Sequence, residues 1–520
     1  MSHFVSEIVR YALYNSSRAA ADSLSLRKAT TTALLMGVTY CIMIGIYRLT
    51  LHPLAKYPGP KLAAVTRLWH SYHLCRGDIV SALARAHEIH GPVLRIAPDE
   101  VLFTSSRAWD DIYGARPGKP EMEKDTPLYK GPTAPHSIVT VDGELHRLYR
   151  RLLVRGFSAT ALREQEPVIQ RNINLLIEKL HEEVTAGKTP EMTAWFNYAT
   201  FDLIGELAFG ETYGCLENSH YHPWVEMILE VMKLRAVTHA VGYYPWIFHL
   251  LMCFVPRSLR EKFVTHRKCT HDKVQRRMER KIHYKDLATD LFDPQNGLER
   301  YQIDGICSTL IIAGSETTST ALSATLYFLT QNENAKRRVI GEIRSRFNRV
   351  GDMNSIRVNQ LQYLSACINE ALRIFPPGPA VFPRRVPQGG DFIDGHWIPG
   401  GTQVGIAHFC INRSRRNFID PDKFIPERWL GDVAYQTDDR HAMQAFSYGP
   451  RNCIAHNLAH LEMRLVLARL IWEFDWELTP GSEGWEDALV FNVWRTKPLK
   501  IKFTPVIRCG PRERIEVKAA

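Results

Sequence analysis

FSYGPRNC, residues 446–453, is the stretch on which the reading of this chain turns. An aromatic residue, a glycine and an arginine lead into a single cysteine. The run that follows carries Leu458, Leu461, Leu465, Ala468 and Trp472 at helical spacing. The spacing predicts a helix over 454–474 with Cys453 at its N-terminus. Unpaired amide N–H groups and the positive end of the helix dipole favour a thiolate there, and a thiolate is the form that ligates a metal. A lone cysteine is more often a small buried hydrophobe, so its neighbours decide. Cys453, His456 and His460 fall at i, i+3 and i+7 on one helical face and can be drawn as three zinc ligands. That reading leaves Phe446, Gly449 and Arg451 without a role.

The order Phe446, Gly449, Arg451, Cys453 resembles the haem-binding loop F-x-x-G-x-R-x-C of the cytochrome P450 family. The resemblance implies that Cys453 is the axial thiolate ligand of a haem b iron and that Gly449 turns the loop tightly beneath the haem. It also implies that Phe446 packs beside the sulfur and that Arg451 pairs with a haem propionate. One residue departs from the family pattern: Ala455 stands where glycine is usual.

Two further motifs extend the resemblance. Glu370-Ala-Leu-Arg373 lies on a stripe of Leu361, Leu364, Ile368, Leu372 and Phe375 that ends at Pro376 and Pro377. Alone, such an i, i+3 pair contributes about 0.2–0.5 kcal/mol. Pro426-Glu427-Arg428-Trp429 resembles the family's P-E-R-F element, which implies a buried structural network of Glu370, Arg373 and Arg428. Between residues 305 and 332 the only charge is Glu316, in an apolar run that also holds ten serines and threonines. These polar groups argue for a helix buried inside protein rather than a membrane span. Within it, Ala313-Gly314-Ser315-Glu316-Thr317-Thr318 resembles A-G-x-[DE]-T on the distal side of the haem. Gly314 is then expected to open a groove for dioxygen, and Thr317 and Glu316 to relay protons, although a threonine on a buried helix ordinarily bonds back to its own backbone. Residues 142–151 resemble the W-x-x-x-R helix, with His146 in the tryptophan's place and Arg150 in the arginine's. Pro383-Arg384 resembles the family's strand arginine. The planar guanidinium fork suits a propionate carboxylate, so His146, Arg150 and Arg384 join the expected haem contacts.

At 520 residues the chain exceeds the usual ceiling for one hydrophobic core, but no linker, repeat or low-complexity segment divides it. The expected organisation is an N-terminal tail (1–28), a transmembrane anchor (29–47), a proline-rich hinge (48–60) and one haem-thiolate catalytic domain (61–520). The fold implied by resemblance is mainly α, a large helical bundle with small β-sheets. Residues 93–103 read as two short β runs about a Pro98-Asp99 turn. Ten scattered cysteines without C-x-x-C fit a reducing compartment. Residues 29–47 are uncharged and long enough to span a bilayer, and no small-residue cleavage site follows them. Arg27, Lys28 and Arg48 flank the span almost symmetrically, so charge does not orient it. Resemblance to members of the endoplasmic reticulum implies a single-pass protein with a cytosolic catalytic domain. Asn15 is then a glycosylation acceptor if the tail is luminal. Residues 243–255 form a second apolar patch, either core or a membrane-dipping region by resemblance.

The implied reaction is monooxygenation, with dioxygen and a lipophilic small molecule as substrates. No G-x-G-x-x-G fingerprint is present, so electrons are expected from NADPH–cytochrome P450 reductase. A net charge of +10, with Arg150, Arg151 and Arg155 near the haem-side helix, suits an acidic flavoprotein. No binding motif supports nucleic acid as a partner. HPLAKYPGP and RIAPDEV resemble filamentous-fungal members that tailor secondary metabolites: terpenoids, polyketides, alkaloids or peptides. Pocket-lining segments are expected near 115–141, 225–255, Ala313, 377–383 and Phe491. The rival reading is a haem-thiolate isomerase, dehydratase or peroxygenase, which would use Cys453 without the Glu316 and Thr317 relay.

Overall fold

A computed structural model describes residues 27–124, 127–130, 136–280 and 286–507. Asn15 lies outside the described residues. The architecture is mainly α with small sheets. Its centre is the helix Arg300–Gln331, opened by a reciprocal capping box between Glu299 and Gln302. Several hydroxyls of this polar helix are satisfied within the protein, while Ser323 Oγ has no partner among the described residues. Ser315 Oγ donates to Ile311 O (2.6 Å), Thr325 Oγ1 to Ala321 O (2.8 Å) and Ser319 Oγ to Asn197 Oδ1 (2.6 Å). Helix Met192–Phe209 packs along it and is buried nearly all round. The two approach closely at Gly314, where an added Cβ would lie 2.9 Å from Ile204.

Helices Gln362–Ile374 and His456–Glu473 flank the central helix on its other side. The first carries the expected charge network, and it is wholly buried. Arg373 donates to both carboxylate oxygens of Glu370 (2.8 and 2.9 Å), and Arg428 Nε donates to Glu370 Oε1 (3.0 Å). Two members escaped the sequence reading: Asp438, which pairs with Arg428, and Trp429, whose indole N–H donates to Glu370 Oε2 (2.9 Å). Two arginines and two acids thus balance in an interior where a stranded charge would be costly.

The residues around Pro98-Asp99 form the expected hairpin, Val93–Ala97 against Glu100–Phe103. Glu100–Phe103 pairs parallel with Gln403–Ile406, which takes Arg384–Arg385 on its far edge, making a four-stranded sheet. That sheet gathers a smaller core of Leu54, Val101, Phe103, Trp109 and Ile406, distinct from the large helical core. Among the described residues one helix, Arg27–Thr50, is long and apolar enough to cross a membrane, and little of it is covered by protein. The second apolar patch is the short helix Pro245–Phe254, which buries Phe248 and exposes Trp246 (70%) and Phe254 (73%).

Candidate active site

A cavity of 310 Å³ lies between the central helix and the cysteine loop. Seven of the eight expected site residues line it: Thr317 from the central helix, His146 and Arg150 from helix Gly143–Val154, Arg384 from the sheet edge, and Phe446, Arg451 and Cys453 from the loop. Glu316 does not line it. Its carboxyl is buried on another face of the same helix, with one oxygen unpartnered, and burial alone pushes it up to about 7.

The loop is held in place from three directions. The Cys453 N–H donates to Phe446 O at 2.8 Å, closing the turn. Gly449 sits at φ +74°, where a Cβ would fall 2.0 Å from Tyr113 O, so no other residue fits. Arg150 clamps Asn452, the residue before the cysteine, through Nη1 to its carbonyl (2.8 Å) and Nη2 to Oδ1 (2.6 Å). The helix starts at His456 rather than 454, and Ile454 and Ala455 form a turn between Cys453 and the helix. Cys453 is open to the cavity, and the protein that encloses the cavity raises its thiol, opposed by the Ala455 N–H and the Arg150 charge. A bound cation would further favour the thiolate.

The zinc geometry fails. His456 meets Phe446 edge-on at 4.5 Å, His460 lies tilted against it at 5.0 Å, and the two imidazoles meet edge-on at 4.6 Å, forming an aromatic cluster behind the loop. Among the described residues no three His, Cys, Asp or Glu side chains converge on a metal position.

The cavity edge is cationic. Arg384, 5% exposed, donates to Tyr129 OH (3.0 Å) and Pro383 O (3.1 Å) and lies over the Tyr113 ring. Lys124, 4% exposed, donates to Ile138 O (3.2 Å) and Val141 O (3.4 Å). Burial, then Arg384 and Arg451, hold Lys124 down to about 7. Neither cation pairs with a carboxylate among the described residues. Arg451 does: it bonds Glu121 (2.9 Å) and Asp142. Lys124, Tyr129, Ile138 and Val139 fall in the 115–141 segment expected to line the pocket, although no motif singled out Lys124 or Tyr129 as an individual contact. Glu462 was also missed. It faces the cavity from the cysteine's own helix, and burial pushes it up to about 8.

One thiol in the floor, apolar walls and two buried cations without carboxylate partners fit a flat apolar macrocycle that carries iron and two carboxylates. These features define a haem-thiolate site. The cytochrome P450 family model matches residues 58–503. Over 98% of its length the chain is 87% identical to all of cytochrome P450 monooxygenase cpaH of Aspergillus oryzae. It is 40% identical to cytochrome P450 monooxygenase astJ of the same species (88% of this chain, 94% of that one). It is 38% identical to the trichothecene C-15 hydroxylase of Fusarium sporotrichioides (90% and 96%). The chain belongs to the cytochrome P450 family. Membership carries with it haem, cysteine thiolate ligation and monooxygenase chemistry on a lipophilic substrate, with dioxygen and a redox partner.

Proposed function

We propose that the chain oxidises a lipophilic intermediate of fungal secondary metabolism, inserting one oxygen atom from dioxygen. Electrons come from NADPH–cytochrome P450 reductase. A cytosolic catalytic domain is held on the endoplasmic reticulum by the single apolar helix. The observation that carries this reading is the one cavity shared by Cys453 and Thr317. The relatives support the pathway class: they are fungal monooxygenases, one of them named for hydroxylating a trichothecene. They do not favour the isomerase or peroxygenase alternative.

Cys453 Sγ would hold the iron. Arg384 and Lys124, with Arg451, would face the propionates, while His146 and Phe446 would pack against the macrocycle. When bound, the haem supplies dioxygen activation, and the thiolate favours O–O cleavage. The chain supplies the rest. Thr317 Oγ1 donates to Ala313 O at 2.6 Å, which leaves its lone pairs to receive a hydrogen bond from a water or substrate hydroxyl. Glu316, poised near neutral pH, can hold or release a proton behind that helix. Leu203, Ile204, Leu207 and Leu310 exclude water and receive the substrate's apolar body. Gene deletion with metabolite profiling tests the reading. The accumulated precursor, incubated with protein, reductase and NADPH, should gain one oxygen, and a precursor left unchanged would overturn it.

A further inference from the structure

HPLAKYPGP and RIAPDEV take no part in the active site, yet the structure joins them where the apolar N-terminal helix meets the domain. The N–H groups of Leu51 and His52 both donate to Tyr47 O at 2.9 Å. Arg48 O is thereby left without its helical partner, as helix ends require. Arg95 Nη1 supplies the missing donor at 2.8 Å. The same guanidinium, 1% exposed, donates through Nη2 to Pro98 O (2.8 Å) and meets His52 Nδ1 at 3.3 Å. Its partners are carbonyls and an imidazole, an unusual set for a buried arginine. Such a charge is costly to bury unless its bonds are made; here both terminal nitrogens make them, while Nε has no partner among the described residues.

The contact is reinforced from both sides. Arg48 Nη1 donates to Val65 O at 2.6 Å, and Gly45 of the same helix faces Val65. The Arg95 N–H donates to Pro58 O (2.8 Å), and a Cβ at Gly59 would fall 2.1 Å from Arg95 O, so the proline-rich run is pressed onto strand Val93–Ala97. Leu54 is 1% exposed, and Tyr57 OH donates to Trp397 O at 2.7 Å. A loose tether would leave these groups in water.

We propose that the two motifs form a rigid socket for the membrane helix, with Arg95 as its lock, and that the socket fixes the tilt of the catalytic domain on a lipid bilayer. The proposal rests on reading Arg27–Thr50 as a membrane anchor. Exposed Leu51, Leu62, Leu68 and Tyr72 lie on or beside the socket's segments and supply apolar surface for the acyl–headgroup boundary.

Linear dichroism of the haem band tests it, using full-length holoprotein in oriented phosphatidylcholine bilayers. The wild type should show one narrow tilt distribution. Arg95→Met should broaden it to the width of a reference variant with a six-residue Gly-Ser insertion between Thr50 and Leu51. The reduced carbon-monoxide spectrum of each variant reports that the haem site is folded. Wild-type dichroism in folded Arg95→Met would overturn the socket while leaving the anchor. A full-length protein that does not partition into bilayers would overturn the anchor and the socket together. Should Arg95→Met not fold, amide exchange on the wild type decides: slow exchange at Leu51, His52 and Arg95 supports the socket, and exchange at the rate of an unstructured chain overturns it.

Discussion

Two buried glutamates sit on neighbouring helices of the same core, and they are built for opposite purposes. Glu370 is completely enclosed and accepts five hydrogen bonds, from Arg373 twice, Arg428, Trp429 and the Ile425 N–H. Glu316 is almost as deeply buried, has an unpartnered oxygen, and is raised to about 7. Full satisfaction makes the first a fixed negative charge that organises structure. Incomplete satisfaction raises the second towards neutral pH, which is the condition its proposed acid–base role requires.

Breaking the satisfied site should have the larger effect. Glu370→Ala leaves Arg373 and Arg428 buried with only Asp438 to balance them, and the expected loss of about 3–5 kcal/mol should prevent accumulation of folded holoprotein. Soluble expression and haem content measure it, and near-normal yield would show that the network is dispensable.

The roof of the cavity responds differently. Thr317→Ala should still bind haem and substrate and consume NADPH, but lose about 10²–10⁴-fold in product formation. Product formed per NADPH oxidised, with peroxide measured alongside, reads the loss. Wild-type coupling would reduce Thr317 to helix packing.

Glu316→Gln separates protonation from packing. The folded carboxyl is raised from 4.5 to about 7, so the folded state binds more protons than the unfolded one between those values. Its stability is then full below about pH 4.5 and declines as pH rises through 7, by about 3 kcal/mol in all. The glutamine variant should lack this decline and become the more stable protein above pH 7. Denaturant melts at pH 5 and 8 check it, and equal slopes in both proteins would place the titration elsewhere.

The smallest expected effect is at Ala455, which departs from the family's glycine. Ala455 adopts φ −90°, a conformation open to any residue, at the N-cap of the cysteine's helix. Ala455→Gly should therefore stabilise the protein by no more than about 1 kcal/mol, since glycine caps a helix N-terminus better than alanine. A large gain in haem affinity would show that the methyl crowds the site.

The same contrast explains what the sequence could reveal. The cysteine loop and the Glu370 network were legible because each constraint admits one residue type. Only glycine fits at 449 against Tyr113, and only a guanidinium fork spans both oxygens of Glu370. Glu316 and Thr317 were legible as residues, but the separation of Glu316 from the cavity depends on helix rotation within the packed core. The 115–141 segment was legible as pocket lining, but the particular roles of Lys124 and Tyr129 within it, and that of Asp438, were not, since they arise from long-range contacts that no local spacing encodes. The two-residue turn between Cys453 and the helix start at His456 weakens the pull of the helix dipole on the sulfur.

We propose that Cys453 ligates the iron of a haem bound in this cavity. The reduced carbon-monoxide difference spectrum of the purified wild type, beside that of Cys453→Ala, tests it most directly. The account predicts the red-shifted Soret band of a thiolate-bound haem in the wild type and its loss, with all turnover, in the variant. An unchanged band in Cys453→Ala would contradict it.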